Sequence, residues 1–524
     1  MPRDPMSGNG ERPSAGRPII RPVSLDPDPC YRALAARDAR FDGHFFVGVA
    51  TTRIYCRPVC PARTPLKRHC AFFPSAAAAE AGGFRPCLRC RPELAPGFAA
   101  VDANRRLARA AADRIEGGAL EDSSLEALAA QLGVTDRHLR RVFGAQFGVT
   151  PVAYAQTQRL LLAKRLLTDT GLPVLTVAMA SGFSSLRRFN ALFRERYRMT
   201  PGELRTRAPD RRESDDLAFD LAYRPPYDWD AMLAFLAGRA VTGVEAVEGR
   251  RYRRTVRIGT GGLASRAIRI GRVAGAPHGI EGAGPTTGWI EIAPSPRRSA
   301  LRVTASASLA GCVPALLARV RHLLDLACRP EEVAEALGPL AADHPGLRLP
   351  GAFDGFEIAV RAILGQQVTV KAATTIAGRF ANAFGEAAQT PHRDLARLFP
   401  SPAIVAALEP SAIAALGIIA ARAKAIRALA CAMAAGELDL APGAPVEPAL
   451  EALRAVPGIG PWTAHYIAMR ALAWPDAFPH PDVAVLKAMG ETDGRRALAR
   501  AEAWRPWRAY AVLHLWKSLE RKSP

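Results

Sequence analysis

The sequence predicts a multidomain, mainly α chain with a small cysteine-clamped segment near its start and an α+β segment in its middle. Three observations carry this. At 524 residues the chain is too long for a single hydrophobic core and suggests three or four domains. Residues 102–205, and the chain from about 312 onward, are amphipathic runs broken by Gly and Pro, the pattern of packed helices. Between them, Tyr252–Ile258 and Ala267–Val273 alternate in the manner of strands.

The cysteine segment comes first. Cys56, Cys60, Cys87 and Cys90 read C-x3-C, a long gap, then C-x2-C. Two close thiol pairs returning on each other supply the four donors of one tetrahedral Zn²⁺. By spacing alone such a site is more often an inert clip than a reactive centre. Arg53, Arg57, Arg85, Arg89 and Arg91 crowd a cluster that would itself be dianionic, so there is room in this reading for a second anion, such as a phosphate, to be held there as well. Cys70 reads as a core or surface thiol, and Cys30, Cys312, Cys328 and Cys431 default to packing. Metal spacing among nine cysteines points to a reducing, cytoplasmic setting. The first 25 residues lack the apolar core of a signal peptide and read as a disordered tail. No apolar run is long enough to span a membrane, so no membrane partner is expected.

The formal net charge is +21, and more than half of the excess falls in residues 1–210. A basic balance of this size favours nucleic acid as partner, although a solvated basic surface alone would look the same. The 102–206 block narrows the choice. Ser124–Ala129, a turn at Gly133 and Asp136–Phe147 make one helix-turn-helix pattern. Val174–Ser181, a turn at Gly182 and Ser185–Tyr197 make a second, joined to the first by a long helix through Tyr154–Leu167. The second helix of each pair is basic, with Arg137, Arg140 and Arg141 in one and Arg187, Arg188 and Asn190 in the other. Such side chains meet phosphates and reach base edges in the major groove. A single pattern is common among helical hairpins; two in tandem resemble the AraC-type DNA-binding domain, as does the closing Thr200-Pro201.

The segment 26–97 resembles the N-terminal part of the Ada adaptive-response regulators. The matching stretches are Phe45-Phe46-Val47, Thr51-Thr52, Cys56-Arg57-Pro58 and Gly83-Phe84-Arg85-Pro86-Cys87. The resemblance implies that Cys56 accepts a methyl group from a DNA methylphosphotriester, with Cys60, Cys87 and Cys90 completing the zinc site. It also implies promoter DNA as a partner, with RNA polymerase as a further candidate. The Pro-Cys-His-Arg motif of the family's second methyl-acceptor domain does not occur, so repair of 6-O-alkylguanine is not expected.

After a charged linker at 207–216, the chain resembles the AlkA-type DNA-3-methyladenine glycosylases through Pro226-Tyr227-Asp228-Trp229, Ala362–Gln367 and Trp504–Tyr510. Val456-Pro457-Gly458-Ile459-Gly460-Pro461-Trp462 reads as a helix-hairpin-helix, whose Gly458 and Gly460 let backbone N–H groups approach a phosphate. Asp482 follows in Pro479-His480-Pro481-Asp482-Val483. The resemblance makes Asp482 the catalytic carboxylate; by local pattern it is equally a helix N-cap, and both can hold. It places Trp462, Tyr466 and Trp516 around an extruded base, against the plain alternative that they are core. Gln367 stands where a family member carries a DNA-wedging leucine. Pro461 removes one N–H from the hairpin. Trp462 stands where lyase-active relatives carry a lysine, so a monofunctional enzyme is expected. His465 and His480 read as structural.

The implied fold class is a small zinc-bound α/β domain (26–97), an AraC-type double helix-turn-helix domain (102–206), an α+β AlkA-like N-terminal domain (217–303) and an all-α helix-hairpin-helix glycosylase domain (304–524). Two other readings stay open on sequence alone. One is a DNA-binding regulator with an inactive glycosylase half. The other is a glycosylase whose zinc segment and helix-turn-helix block only target it to DNA.

Overall fold

The computed structural model describes residues 25–38, 41–95, 103–120, 123–207, 216–259, 285–296, 298–480 and 482–520. The expected strand Ala267–Val273, nearly all of the N-terminal tail and most of the linker lie outside these residues. No helix of the described residues is long and apolar enough to cross a membrane.

The first domain is built on a four-stranded sheet. Its strands are β1 (Phe46–Val49), β2 (Ile54–Cys56), β3 (Cys70–Phe73) and β4 (Arg85–Pro86), in the order β3-β1-β2-β4. β1 pairs antiparallel with both β2 and β3, and β2 pairs parallel with β4. That parallel pairing brings Cys56, at the end of β2, beside the chain leaving β4 toward Cys87. Helix Ala76–Ala81, N-capped by Ser75, packs its alanines with Phe46, Tyr55 and Phe84.

In the helix-turn-helix block, hydroxyl residues set where each helix begins. Ser124, Thr135, Thr150, Ser185 and Thr200 each accept a backbone N–H of the first turn, which satisfies a donor that the helix itself leaves unpaired. Thr200 and Glu203 complete a reciprocal capping box. The resulting pairs are Leu125–Gln131 with Asp136–Phe147 and Val174–Ala180 with Leu186–Tyr197, joined by the helix Pro151–Asp169. Leu161 of that long helix inserts among Phe46, Tyr55 and Phe84 of the first domain.

The middle of the chain forms an antiparallel sheet of β5 (Leu217–Ala222), β6 (Glu245–Glu248), β7 (Arg251–Ile258), β8 (Thr286–Pro294) and β9 (Ala300–Ala305), in the order β5-β9-β8-β7-β6. Its buried face shares one hydrophobic core with the second helix-turn-helix pair and with the following helix Val313–Leu323. The helices after Leu323 form two further cores. Tyr466 packs against both, so the seam between them is where its ring is held.

Of the cysteines expected to pack, Cys30, Cys312 and Cys328 are buried, whereas Cys431 is exposed. Its helix, Ala420–Ala434, buries Ala423, Ala425, Ile426, Leu429 and Ala430, and Cys431 falls outside that set. The packing expectation for Cys431 is therefore corrected.

Candidate functional sites

The four predicted thiols converge. The Sγ atoms of Cys56, Cys60, Cys87 and Cys90 all lie within 4.8 Å of one another. Four soft sulfur donors and no other candidate ligand in the cluster are the donor set of one structural or reactive Zn²⁺. Cys60, Cys87 and Cys90 are buried, and Cys56 alone is partly open to solvent.

The arginines around this cluster are mostly committed. Arg57 is buried, donates Nε–H to Asp42 at 2.9 Å and Nη1–H to the Cys90 carbonyl at 3.1 Å, and its backbone N–H points at Cys90 Sγ at 3.4 Å. Arg91 donates to Glu93 at 2.9 Å and to Asp169 at 2.7 Å. The expectation of an arginine crowd open to an anion is corrected for these two: burial without a partner costs a guanidinium dearly, and each has found carboxylates. Arg53 and Arg89 remain exposed.

The second site gathers residues from three helices. Asp482 N-caps the helix Val483–Met489 through Oδ1, which accepts Val485 N–H at 2.9 Å. Oδ1 also accepts Trp516 Nε1–H at 3.1 Å, and Oδ2 accepts Trp462 Nε1–H at 2.8 Å. The carboxylate is thus fixed by a backbone donor and two indoles. Trp462 stacks on Tyr466 with ring centroids 5.3 Å apart and planes 12° from parallel, and Trp516 lies 6.3 Å from Tyr466. A packed pair of this kind leaves no slot between its rings, so a flat ligand would use the outer face. Arg470, which the sequence reading missed, is buried and donates Nη1–H to the Tyr466 hydroxyl at 2.8 Å. Burial raises the Tyr466 phenol, but Arg470, Arg239 and Arg361 outweigh it and bring the phenol below its ordinary pKa. Arg470 lies one helical turn from Tyr466, the one signal that could have flagged it.

The hairpin Val456–Gly460 joins helices Val446–Ala455 and Pro461–Arg470. Gly458 sits at φ +91°, a conformation that side-chain-bearing residues rarely adopt. Around Gly460 there is open space where a Cβ would stand. Pro461 occupies the first helical position, where its missing N–H would in any case have no partner in the helix. Gln366 donates to the Gly458 carbonyl and to Thr463 Oγ1, both at 2.9 Å, pinning the hairpin. Its neighbour Gln367 is exposed at φ 55° in the turn between helices Gly355–Leu364 and Val370–Phe384. His465 accepts the Phe478 N–H at 3.4 Å, a structural contact.

On the helix-turn-helix block, Arg137, Arg187 and Arg188 are exposed on the second helices. Arg140 is exposed as well but is drawn to Asp136 at 3.3 Å and Glu126 at 3.7 Å.

Family comparison matches four stretches of the chain. Residues 29–93 match the metal binding domain of Ada, 128–207 a helix-turn-helix domain, 218–354 the AlkA N-terminal domain, and 360–508 the HhH-GPD superfamily of base excision DNA repair proteins. A probable bifunctional transcriptional activator/DNA repair enzyme AlkA from Mycobacterium tuberculosis is 40% identical over 94% of this chain and 96% of its own length. The chain belongs to this bifunctional Ada–AlkA family. The two halves also have separate relatives. DNA-3-methyladenine glycosylase 2 of Escherichia coli is 38% identical over 57% of this chain and 96% of its own length. The bifunctional transcriptional activator/DNA repair enzyme AdaA of Bacillus subtilis is 30% identical over 38% of this chain and 91% of its own length. As an Ada–AlkA fusion, the chain carries its four-cysteine cluster inside the Ada match, and Trp462, Tyr466 and Asp482 inside the HhH-GPD match.

Proposed function

We propose that this protein answers alkylation damage to DNA twice: a methyl group from a backbone methylphosphotriester is taken onto Cys56, and alkylated bases of the 3-methyladenine and 7-methylguanine type are excised at Asp482. The first assignment rests on Cys56 being the one thiol of the cluster open to solvent. Bound Zn²⁺ supplies this site with sulfurs that stay deprotonated at neutral pH. Cys56 Sγ forms a bond to the methyl carbon as the carbon–oxygen bond breaks, and the electron pair stays on the phosphate as a diester anion. The product is a thioether, so the event is stoichiometric. Neutralising one sulfur lessens repulsion between this face and the DNA backbone, which couples damage to promoter binding through Arg137, Arg140, Arg187 and Arg188. Activation of transcription then calls for RNA polymerase as a partner.

The second assignment rests on one observation, the carboxylate of Asp482 held by three N–H donors beside stacked aromatic rings. A base turned out of the duplex stacks on the cleft of Trp462, Tyr466 and Trp516. Alkylated purines are cationic, which favours stacking on aromatic faces and makes them good leaving groups. As the bond from C1′ to the base nitrogen breaks, its electrons leave with the base and the sugar gains oxocarbenium character. The fixed anion of Asp482 stabilises that charge, and water completes the hydrolysis at C1′. Gly458 and Gly460 hold a backbone phosphate, and Gln367 fills the gap left in the stack. With Trp462 in place of an amine, no Schiff base forms and the enzyme is monofunctional.

Duplex DNA carrying methylphosphotriesters and 3-methyladenine tests both halves. Cys56→Ser is expected to abolish methyl uptake, read by intact-protein mass, while base release continues. Asp482→Asn, which keeps an N-cap, is expected to lower single-turnover base release by about 100-fold or more. Base release at the wild-type rate in Asp482→Asn, or a methyl found on another residue, would refute the corresponding assignment.

A further inference from the structure

A cavity of about 60 Å³ lies where three parts of the chain meet. Glu93 of the zinc domain, Arg165 of the long helix Pro151–Asp169, Ser181 at the end of helix Val174–Ala180 and Arg321 of helix Val313–Leu323 all line it. Its volume is room for about five waters, the bulk of one tetrahedral oxyanion and too little for a nucleoside.

Two buried polar atoms of the lining lack partners among the described residues. Ser181 is fully buried, and its Oγ has no hydrogen-bond partner among the described residues. Arg165 is 2% exposed, and its Nε also lacks one, although Nη2 donates to the Asp220 carbonyl at 2.9 Å. The nearby acids are already engaged. Asp169 stands 3.8 Å from Arg165 Nε and gives its oxygen to Arg91 at 2.7 Å. Glu93 receives Lys164 Nζ at 2.7 and 2.8 Å and Arg91 Nε at 2.9 Å. Glu116 accepts from Tyr154 at 2.6 Å and lies 3.7 Å from Arg321. Burial, reinforced by Arg91 and Arg321 against the opposing pull of Asp169, brings the Arg165 guanidinium down to about 9. Waters would satisfy the hydrogen bonds but not the charge; an anion satisfies both.

We propose that this cavity binds one phosphate-class oxyanion, held by Arg165 Nε, the Ser181 hydroxyl and the Arg321 guanidinium. Such an anion ties the zinc domain and the helix-turn-helix block to the glycosylase half at a point none of them completes alone. The site is separate from the methyl-acceptor and base-excision sites and does not depend on their assignment.

The test uses the full-length zinc protein in a buffer free of oxyanions. Inorganic phosphate is titrated against chloride at matched ionic strength, following the unfolding temperature and the heat of binding. A saturable rise in unfolding temperature with one equivalent bound is expected, because a ligand of the native state stabilises it by mass action. Arg321→Gln is expected to weaken phosphate binding at least 10-fold, and Ser181→Ala several-fold, with base release in the absence of phosphate unchanged. Phosphate acting no differently from chloride would show that the cavity holds water only. Equal phosphate binding by wild type and Arg321→Gln would place the anion elsewhere. Either result overturns the proposal.

Discussion

Asp482 does two jobs with one carboxylate. It starts a helix through Val485 and anchors the indoles of Trp462 and Trp516, which reach it from positions 20 and 34 residues away. The indole of Trp516 therefore contributes both an apolar ring and an oriented donor. Trp516→Phe keeps the ring and removes the donor. A hydrogen bond to a charged group contributes about 1.5–3 kcal/mol, so kcat for base release should fall about 10-fold or more. KM should change little, because the donor steadies the transition state through Asp482 rather than binding the base. Steady-state kinetics on a 3-methyladenine duplex measures the split, and an unchanged kcat would argue that Val485 and Trp462 hold the carboxylate without help. The N-cap at Asp482 was legible in the sequence because capping is local. The bond from Trp516 was not, since nothing short of the fold relates two residues so far apart.

Short elements show the same division. The hairpin could be read from Val456–Pro461, and its two glycines prove to serve different ends. Gly458 is required by its backbone, at φ +91°. Gly460 is at φ −85° with open space where a Cβ would project, so the protein itself does not demand glycine there. The two substitutions should therefore separate folding from binding. Gly458→Ala is expected to cost about 1–2 kcal/mol of stability. Gly460→Ala should leave the unfolding midpoint within about 0.5 kcal/mol of wild type yet weaken duplex binding, as titrations of the two variants would show. Unaltered DNA affinity in Gly460→Ala would mean that no phosphate approaches this turn. The helix-turn-helix elements matched their sequence signals closely, because hydroxyl caps and glycine turns act within a few residues. The zinc-domain arginines did not. Exposed and salt-bridged arginines look alike in sequence, and only the fold placed Asp42 against Arg57 and Asp169 against Arg91.

Across the whole molecule, the regulator and the glycosylase do not hang on a linker. The second helix-turn-helix pair shares a core with the five-stranded sheet, and Arg224 of the glycosylase half donates to the Asp42 carbonyl of the zinc domain at 3.0 Å. Inside the regulator half, Glu80 joins the zinc domain to the long helix, accepting from Tyr55 at 3.0 Å and from Thr157 at 3.1 Å. Burial raises its carboxyl to about 7 against these lowering bonds. A group whose folded pKa is raised gives its full stabilisation below the unfolded value, and loses it as pH climbs through the folded one. Stability should therefore decline between about pH 4.5 and pH 7, by about 3 kcal/mol at most. Denaturant midpoints at pH 5 and pH 7.5 measure this, and Glu80→Gln should flatten the difference. A slope equal in wild type and variant would assign the pH dependence to other groups.

The sequence by itself determined the chemistry that local spacing encodes: four thiols at metal intervals, two tandem helix-turn-helix pairs, a glycine hairpin and a capping aspartate. These are legible because each depends on residues a few positions apart. The tertiary structure alone decided which thiol meets solvent, which arginines are consumed by ion pairs, how two indoles grip Asp482, and that a cavity lined by unpartnered buried polar atoms opens where three domains join. Those outcomes depend on burial and on contacts between distant segments, and both come into being only when the chain packs.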